Sequence, residues 1–142
     1  MLTPVKDILK MASDANTSVI AFNALDYNMV YAVTQAAEKV KKPLICMLYP
    51  EHHTLNNWAN PESFAATVKS LASEVSVPVG LHLDHCTDFN YIMRAIKAGF
   101  SCVMYDGSML SLEENIANTR KVADAAHAFD VAVEAELGHV GF

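Results

Sequence analysis

The sequence is poor in the features that mark membrane, secreted and nucleic-acid-binding chains. No apolar run approaches the roughly 18 residues that a membrane helix needs, and the opening stretch MLTPVKDILKMASDAN lacks the basic start and apolar middle of a secretory leader. Basic residues never cluster beyond Lys39, Lys41 and Lys42, and 16 acids against 10 bases leave a net charge of −6, which argues against a nucleic-acid surface. Cysteine is scarce too. Cys46, Cys86 and Cys102 form no CxxC pair and cannot all pair with one another; two fall in expected strands, so buried, reduced thiols and a cytoplasmic setting are expected. No GxGxxG turn follows the first expected strand, and no nucleotide or organic cofactor is expected. What the chain has in quantity is apolar residues, 52% of 142, with 18% charged, enough for a single domain over 1–142 with a real core.

The apolar residues fall into an alternating pattern. Thr3 and Pro4 read as an N-cap with proline at the first helical position, and Val5, Ile8, Leu9 and Ala12 recur at helical spacing to about Ser13. Residues 17–22, TSVIAF, form a first strand ending at Asn23; a helix over 26–41 stops before Pro43. PLICMLY, 43–49, is continuously apolar, as in a strand covered on both faces. A loop over 50–60 carries Glu51, His52, His53 and Trp58, after which Asn60 and Pro61 open a helix carried by Phe64, Val68, Leu71 and Val75. The third strand lies within 77–87. Asp88 caps a helix of Phe89, Ile92, Met93 and Ile96 that Gly99 closes, FSCVMY at 100–105 is a fourth strand, Ser111 and Glu114 form a capping box for a helix to Ala128, and VAVEAEL at 131–137 is a fifth strand. Strand and helix in alternation imply an α/β fold with a parallel sheet and right-handed crossovers. Strand starts near 17, 43, 78, 100 and 131 keep the pace of a (β/α)8 barrel, whose eight units take roughly 250 residues. The expected fold is therefore an incomplete TIM-type barrel of about five parallel strands with helices outside, and a small doubly wound sheet is the alternative.

The stretch 77–87, VPVGLHLDHCT, sets two imidazoles and a carboxylate on the end of an apolar strand. Alternation places Gly80, His82 and Asp84 on one face, while His85 leaves the strand end in another direction. A carboxylate beside an imidazole there suits metal binding and proton transfer, although such groups can also do no more than cap the strand and bond to neighbouring loops. Other polar residues gather at the same ends: Asn23, Asp106, Glu134 and Glu136. In barrels and open α/β sheets alike, ligands bind at that edge, so the coincidence favours an active site over capping.

AFN at 21–23, HLDHC at 82–86, AIKAGFSCVMYDGS at 95–108, EEN at 113–115, AH at 126–127 and VEAELG at 133–138 occur in this order. In this combination the chain resembles the class II, metal-dependent fructose-bisphosphate and tagatose-bisphosphate aldolases, and it corresponds to their N-terminal portion. The resemblance implies a lyase of glycolytic type that cleaves or forms a ketose 1,6-bisphosphate, the products being dihydroxyacetone phosphate and an aldehyde, glyceraldehyde 3-phosphate. A divalent metal, usually zinc, would polarise the ketone in place of a Schiff-base lysine. By motif, the resemblance implies Asp84 as the proton-exchanging acid, His85 as first ligand of the catalytic Zn2+, and Asp106 with Glu136 as holders of a second divalent cation. His82, Glu134 and Asn23 are implied as supporting residues, the first two orienting their neighbours by hydrogen bonds.

The chain also departs from that pattern. Tyr49, followed by Pro50 and Glu51, stands where the family has a small hydroxyl residue that contacts substrate, and the family's ELGxxGG becomes ELGHVGF, with Phe142 for the second glycine. The family's other two zinc histidines, its mobile loop with the proton-abstracting glutamate and its phosphate-binding glycine loops all come later, so the chain alone is expected to be inactive. His139 is read as a solvated residue, His52 and His53 as loop-packing and His127 as structural. The alternative function is a non-catalytic half-barrel subunit or remnant that self-associates or pairs with a partner, because open strand edges favour association and a homo-oligomer is expected. A reduced metal-binding module built on Asp106 and Glu136 is a third reading.

Overall fold

Five strands pair in parallel in the order in which the chain makes them: β1 (Ile20–Asn23), β2 (Leu44–Leu48), β3 (Val79–Cys86), β4 (Cys102–Tyr105) and β5 (Ala132–Ala135). Between them run α2 (Tyr27–Val40), α4 (Pro61–Ser73), α5 (Phe89–Ala98) and α6 (Leu112–His127); α1 (Val5–Asp14) precedes β1, and a short α3 (Pro50–Thr54) follows β2. The computed structural model describes residues 1–138, so the expectations for His139 and Phe142 lie outside the described residues. A doubly wound sheet reverses its strand order at a switch point, whereas a barrel winds sequentially. The order β1-β2-β3-β4-β5 is the barrel's, which sets the doubly wound alternative aside.

Alternation gives the middle strands, β2 to β4, two buried faces, while β1 is largely exposed. Leu44, Cys46, Leu48, Val79, Leu81, Leu83 and Val103 pack in one cluster with Phe64, Val68 and Ile92 of the outer helices. The opposite face holds Ile45 and Cys102, closed by Val5 and Ile8 of α1. Coverage on both sides is why these middle strands read as nearly unbroken apolar runs. Gly80 makes the close seating of α1 possible, since a Cβ there would meet Val5 Cγ2 at 2.9 Å and Ile8 Cδ1 at 3.1 Å. All three cysteines are free and buried, and burial pushes the thiols of Cys46 and Cys102 up to about 12 and that of Cys86 to about 11, leaving them protonated and inert. No helix among the described residues is long and apolar enough to cross a membrane.

The helix ends follow the expected chemistry in four places. Asp26 accepts from the Met29 N–H at 2.9 Å, Asn60 from Ser63 at 2.8 Å, Asp88 from Asn90 at 2.7 Å, and Ser111 with Glu114 closes a capping box. The start of α1 differs. Pro4, not Thr3, occupies the N-cap, and the Thr3 hydroxyl donates to Met1 O instead. Residues 1–3 run beside β3, with Thr3 N–H donating to Val79 O at 2.9 Å, so Thr3 is held as strand and the Val5 N–H is capped by Ser101 Oγ at 3.1 Å. Two more boundaries move. The loop expected over 50–60 contains α3, and the fifth strand stops at Ala135, placing Glu136 just past its end.

Candidate active site

The rim is shaped by a defect in β3. Leu83 pairs with Val103 and Cys86 with Tyr105, so three steps along β3 face two along β4 and one residue of β3 is extra. His85 sits in this bulge with φ 39°, a left-handed conformation that costs a non-glycine residue about 1–3 kcal/mol. Strict alternation would turn His85 towards the outer helices. The bulge instead brings it back to the rim, where its Nε2 stands 3.9 Å from Asp84 Oδ1.

Two carboxylates converge on the other ring nitrogen. His85 Nδ1 lies 2.9 Å from Asp106 Oδ2 and 3.4 Å from Glu136 Oε2, and the ligand atoms of these three side chains all fall within 4.8 Å of one another. Burial alone would lower the His85 pKa, but the hydrogen bond to Asp106 and the charges of Asp84, Asp106 and Glu136 outweigh it and hold the imidazole above its ordinary value. Burial likewise pushes Asp106 up, yet hydrogen bonds from Ser108 and His85 hold it below the usual carboxylate range. Acids this close repel unless positive charge lies among them. A protonated His85 supplies some; a divalent cation would supply more, and one imidazole with two carboxylates is a donor set that zinc and its neighbours accept.

Asp84 is fixed from the opposite side. Asn23 donates from Nδ2 to Asp84 Oδ2 at 2.9 Å, and Asn23 Oδ1 is buried with no hydrogen-bond partner among the described residues. His82 and Glu134 form a separate pair on the inner face, Nε2 to Oε2 at 3.3 Å, and burial drives the His82 pKa down. With Asp84, Met47 and residues of α1 they line a cleft of about 500 Å3. His52 and His53 stay outside the metal-ligand cluster: His53 Nδ1 meets the Tyr91 hydroxyl at 3.2 Å, and His52 packs between Tyr49 and Trp58. His127 is exposed on α6.

Asn115 is a positioning residue that the motifs do not single out. It donates from Nδ2 to Glu136 O at 2.8 Å and so holds the backbone just past β5. Gly107 makes room for it, because a Cβ there would lie 2.3 Å from Asn115 Oδ1. The signal is present in DGS and EEN, but their contact becomes visible only once β4 and α6 are side by side.

The family model "Fructose-bisphosphate aldolase class-II" matches residues 3–142. A sulfofructosephosphate aldolase of Alkalicoccus urumqiensis is 38% identical over 136 residues, 96% of this chain and 46% of that protein. A probable fructose-bisphosphate aldolase of Bacillus subtilis (strain 168) is 39% identical over 142 residues, 99% of this chain and 49% of that protein. The YdjI aldolase of Escherichia coli K12, a solved structure, superposes with a TM-score of 0.88 at 31% identity, covering 97% of this chain and 51% of that one. The chain thus spans about half the length of the curated relatives it matches.

Proposed function

The chain belongs to the class II fructose-bisphosphate aldolase family, and from that premise we propose that it carries the metal-binding and proton-exchanging part of an aldolase site acting on a ketose 1,6-bisphosphate. The observation that carries this reading is the convergence of His85, Asp106 and Glu136 within 4.8 Å. His85 would hold the catalytic cation, taken to be zinc, and Asp106 and Glu136 would complete its site or share a second divalent cation. A bound cation supplies Lewis-acid polarisation of the substrate carbonyl. Asp84, anchored by Asn23, exchanges a proton with the hydroxyl that becomes the aldehyde oxygen, and returns it in the direction of condensation. Asn23 Oδ1, buried and unpaired among the described residues, accepts a hydrogen bond from a substrate hydroxyl. The relatives' names share fructose and differ in its substituents, sulfo and phosphate in one and bisphosphate in the other, so the family match supports the common bond-breaking chemistry and not the choice of substituent.

The test is cleavage of fructose 1,6-bisphosphate and tagatose 1,6-bisphosphate by the zinc-loaded chain, with a chelator control and a parallel assay of metal content. Zinc bound with little turnover is expected from the chain alone, and Asp84→Ala should keep the zinc while abolishing whatever turnover there is. Full turnover in the presence of chelator, or undiminished turnover in Asp84→Ala, would contradict the assignment. One observation favours a second reading, a non-catalytic partial barrel that associates through its edge: Ile20 and Phe22 of β1 are 61% and 43% exposed. A discrete dimer in sedimentation with no zinc uptake would support that reading.

A further inference from the structure

Tyr49 follows β2 and leads into α3, and its ring stands edge-on to two imidazoles. The Tyr49 and His85 ring centroids are 6.3 Å apart with planes at 89°, and those of Tyr49 and His52 are 5.2 Å apart at 87°. His52 rests in turn against Trp58 at 5.6 Å. His85 is 44% exposed and sits in a strained bulge, so apart from the Tyr49 ring its orientation is held chiefly by the carboxylates that would bind metal beside it. An edge-to-face pair favours one ring orientation by about two- to tenfold. Burial first, and then Glu51, Asp84 and Asp106, hold the Tyr49 phenol above its ordinary pKa, so the wall beside His85 stays uncharged.

We propose that Tyr49 is a positioning residue: its ring, backed by His52 and Trp58, fixes the His85 imidazole so that Nδ1 faces Asp106 and Glu136. The inference rests on His85 being a metal ligand, and it gives a function to a position where the sequence departs from the aldolase pattern. Groups that orient a ligand from outside the metal's own donor set commonly change its affinity by about tenfold or more.

The test compares Tyr49→Phe, Tyr49→Ser and Tyr49→Leu in the whole chain by two readouts. One is the 1H–15N NMR signature of the His85 ring without added metal, with exposed His127 as control; the other is Zn2+ affinity measured against a chromophoric chelator. Tyr49→Phe should match the parent in both. Tyr49→Ser should shift the His85 signals, leave those of His127 in place and weaken Zn2+ binding by about tenfold. Tyr49→Leu keeps apolar bulk without the ring and should behave as the serine variant does, so a serine variant that fails to fold does not remove the test. Parent-like His85 signals and affinity in the leucine or serine variant would overturn the proposal, as would a phenylalanine variant as impaired as serine. A parent chain that takes up no Zn2+ would contradict the metal reading alone, and the ring signals would still decide the role of Tyr49.

Discussion

Asn115 reaches Glu136 only because position 107 has no side chain. Gly107→Ala would drive a methyl group into Asn115 Oδ1 and Cγ, 2.3 and 2.6 Å from the Cβ position, and should release the Glu136 carbonyl from its 2.8 Å bond. The expected cost is about 1–3 kcal/mol in denaturant unfolding, with weaker metal uptake as Glu136 loses its place; an alanine variant of parent stability and affinity would contradict this. The identities of Asn23, Asp84, His85, Asp106, Glu134 and Glu136 were legible because polar residues stand out in apolar strands. Alternation also placed Asp84 on the face of His82, whose cleft it shares, but the path of His85 back to the rim was not legible. The turn of His85 depends on a mismatch with β4, whose pairing residues lie about twenty positions further on, and a period-two reading of β3 cannot see it.

Helices with side-chain caps were legible to within a residue or two, since each cap is local chemistry. The start of α1 was not, because its cap comes from Ser101 and Thr3 is recruited to the edge of β3. Nor was α3, whose five residues PEHHT carry no apolar period. Glu38 shows how one partly buried side chain ties elements together: it accepts from Ser76 N–H at 2.7 Å and Val77 N–H at 3.2 Å, joining α2 to the turn before β3, and it pairs with Lys41. The Lys41 ammonium first, and then the Ser76 N–H, draw its carboxyl down to about 2 from an ordinary value of 4.5. Because the folded value is the lower one, the stabilisation is present above pH 4.5 and is lost as pH falls towards about 2. Exposure keeps it small. Glu38→Gln should therefore flatten the acid limb of the stability curve across that window, and an unchanged slope would count against the assignment.

At the scale of the molecule, the barrel winding was readable from the spacing of strands and confirmed by their order. That winding brings residues as far apart as His85 and Glu136 to one rim, which is why the candidate site could be named from strand ends before any contact was known. We propose that this rim binds a divalent cation through His85, Asp106 and Glu136. Isothermal titration of the purified chain with Zn2+, alongside His85→Ala and Asp106→Ala, tests it most directly. Saturable binding in the parent that both substitutions abolish or weaken at least about tenfold is the predicted result; no saturable binding, or binding untouched by His85→Ala, would contradict a cation site at this rim.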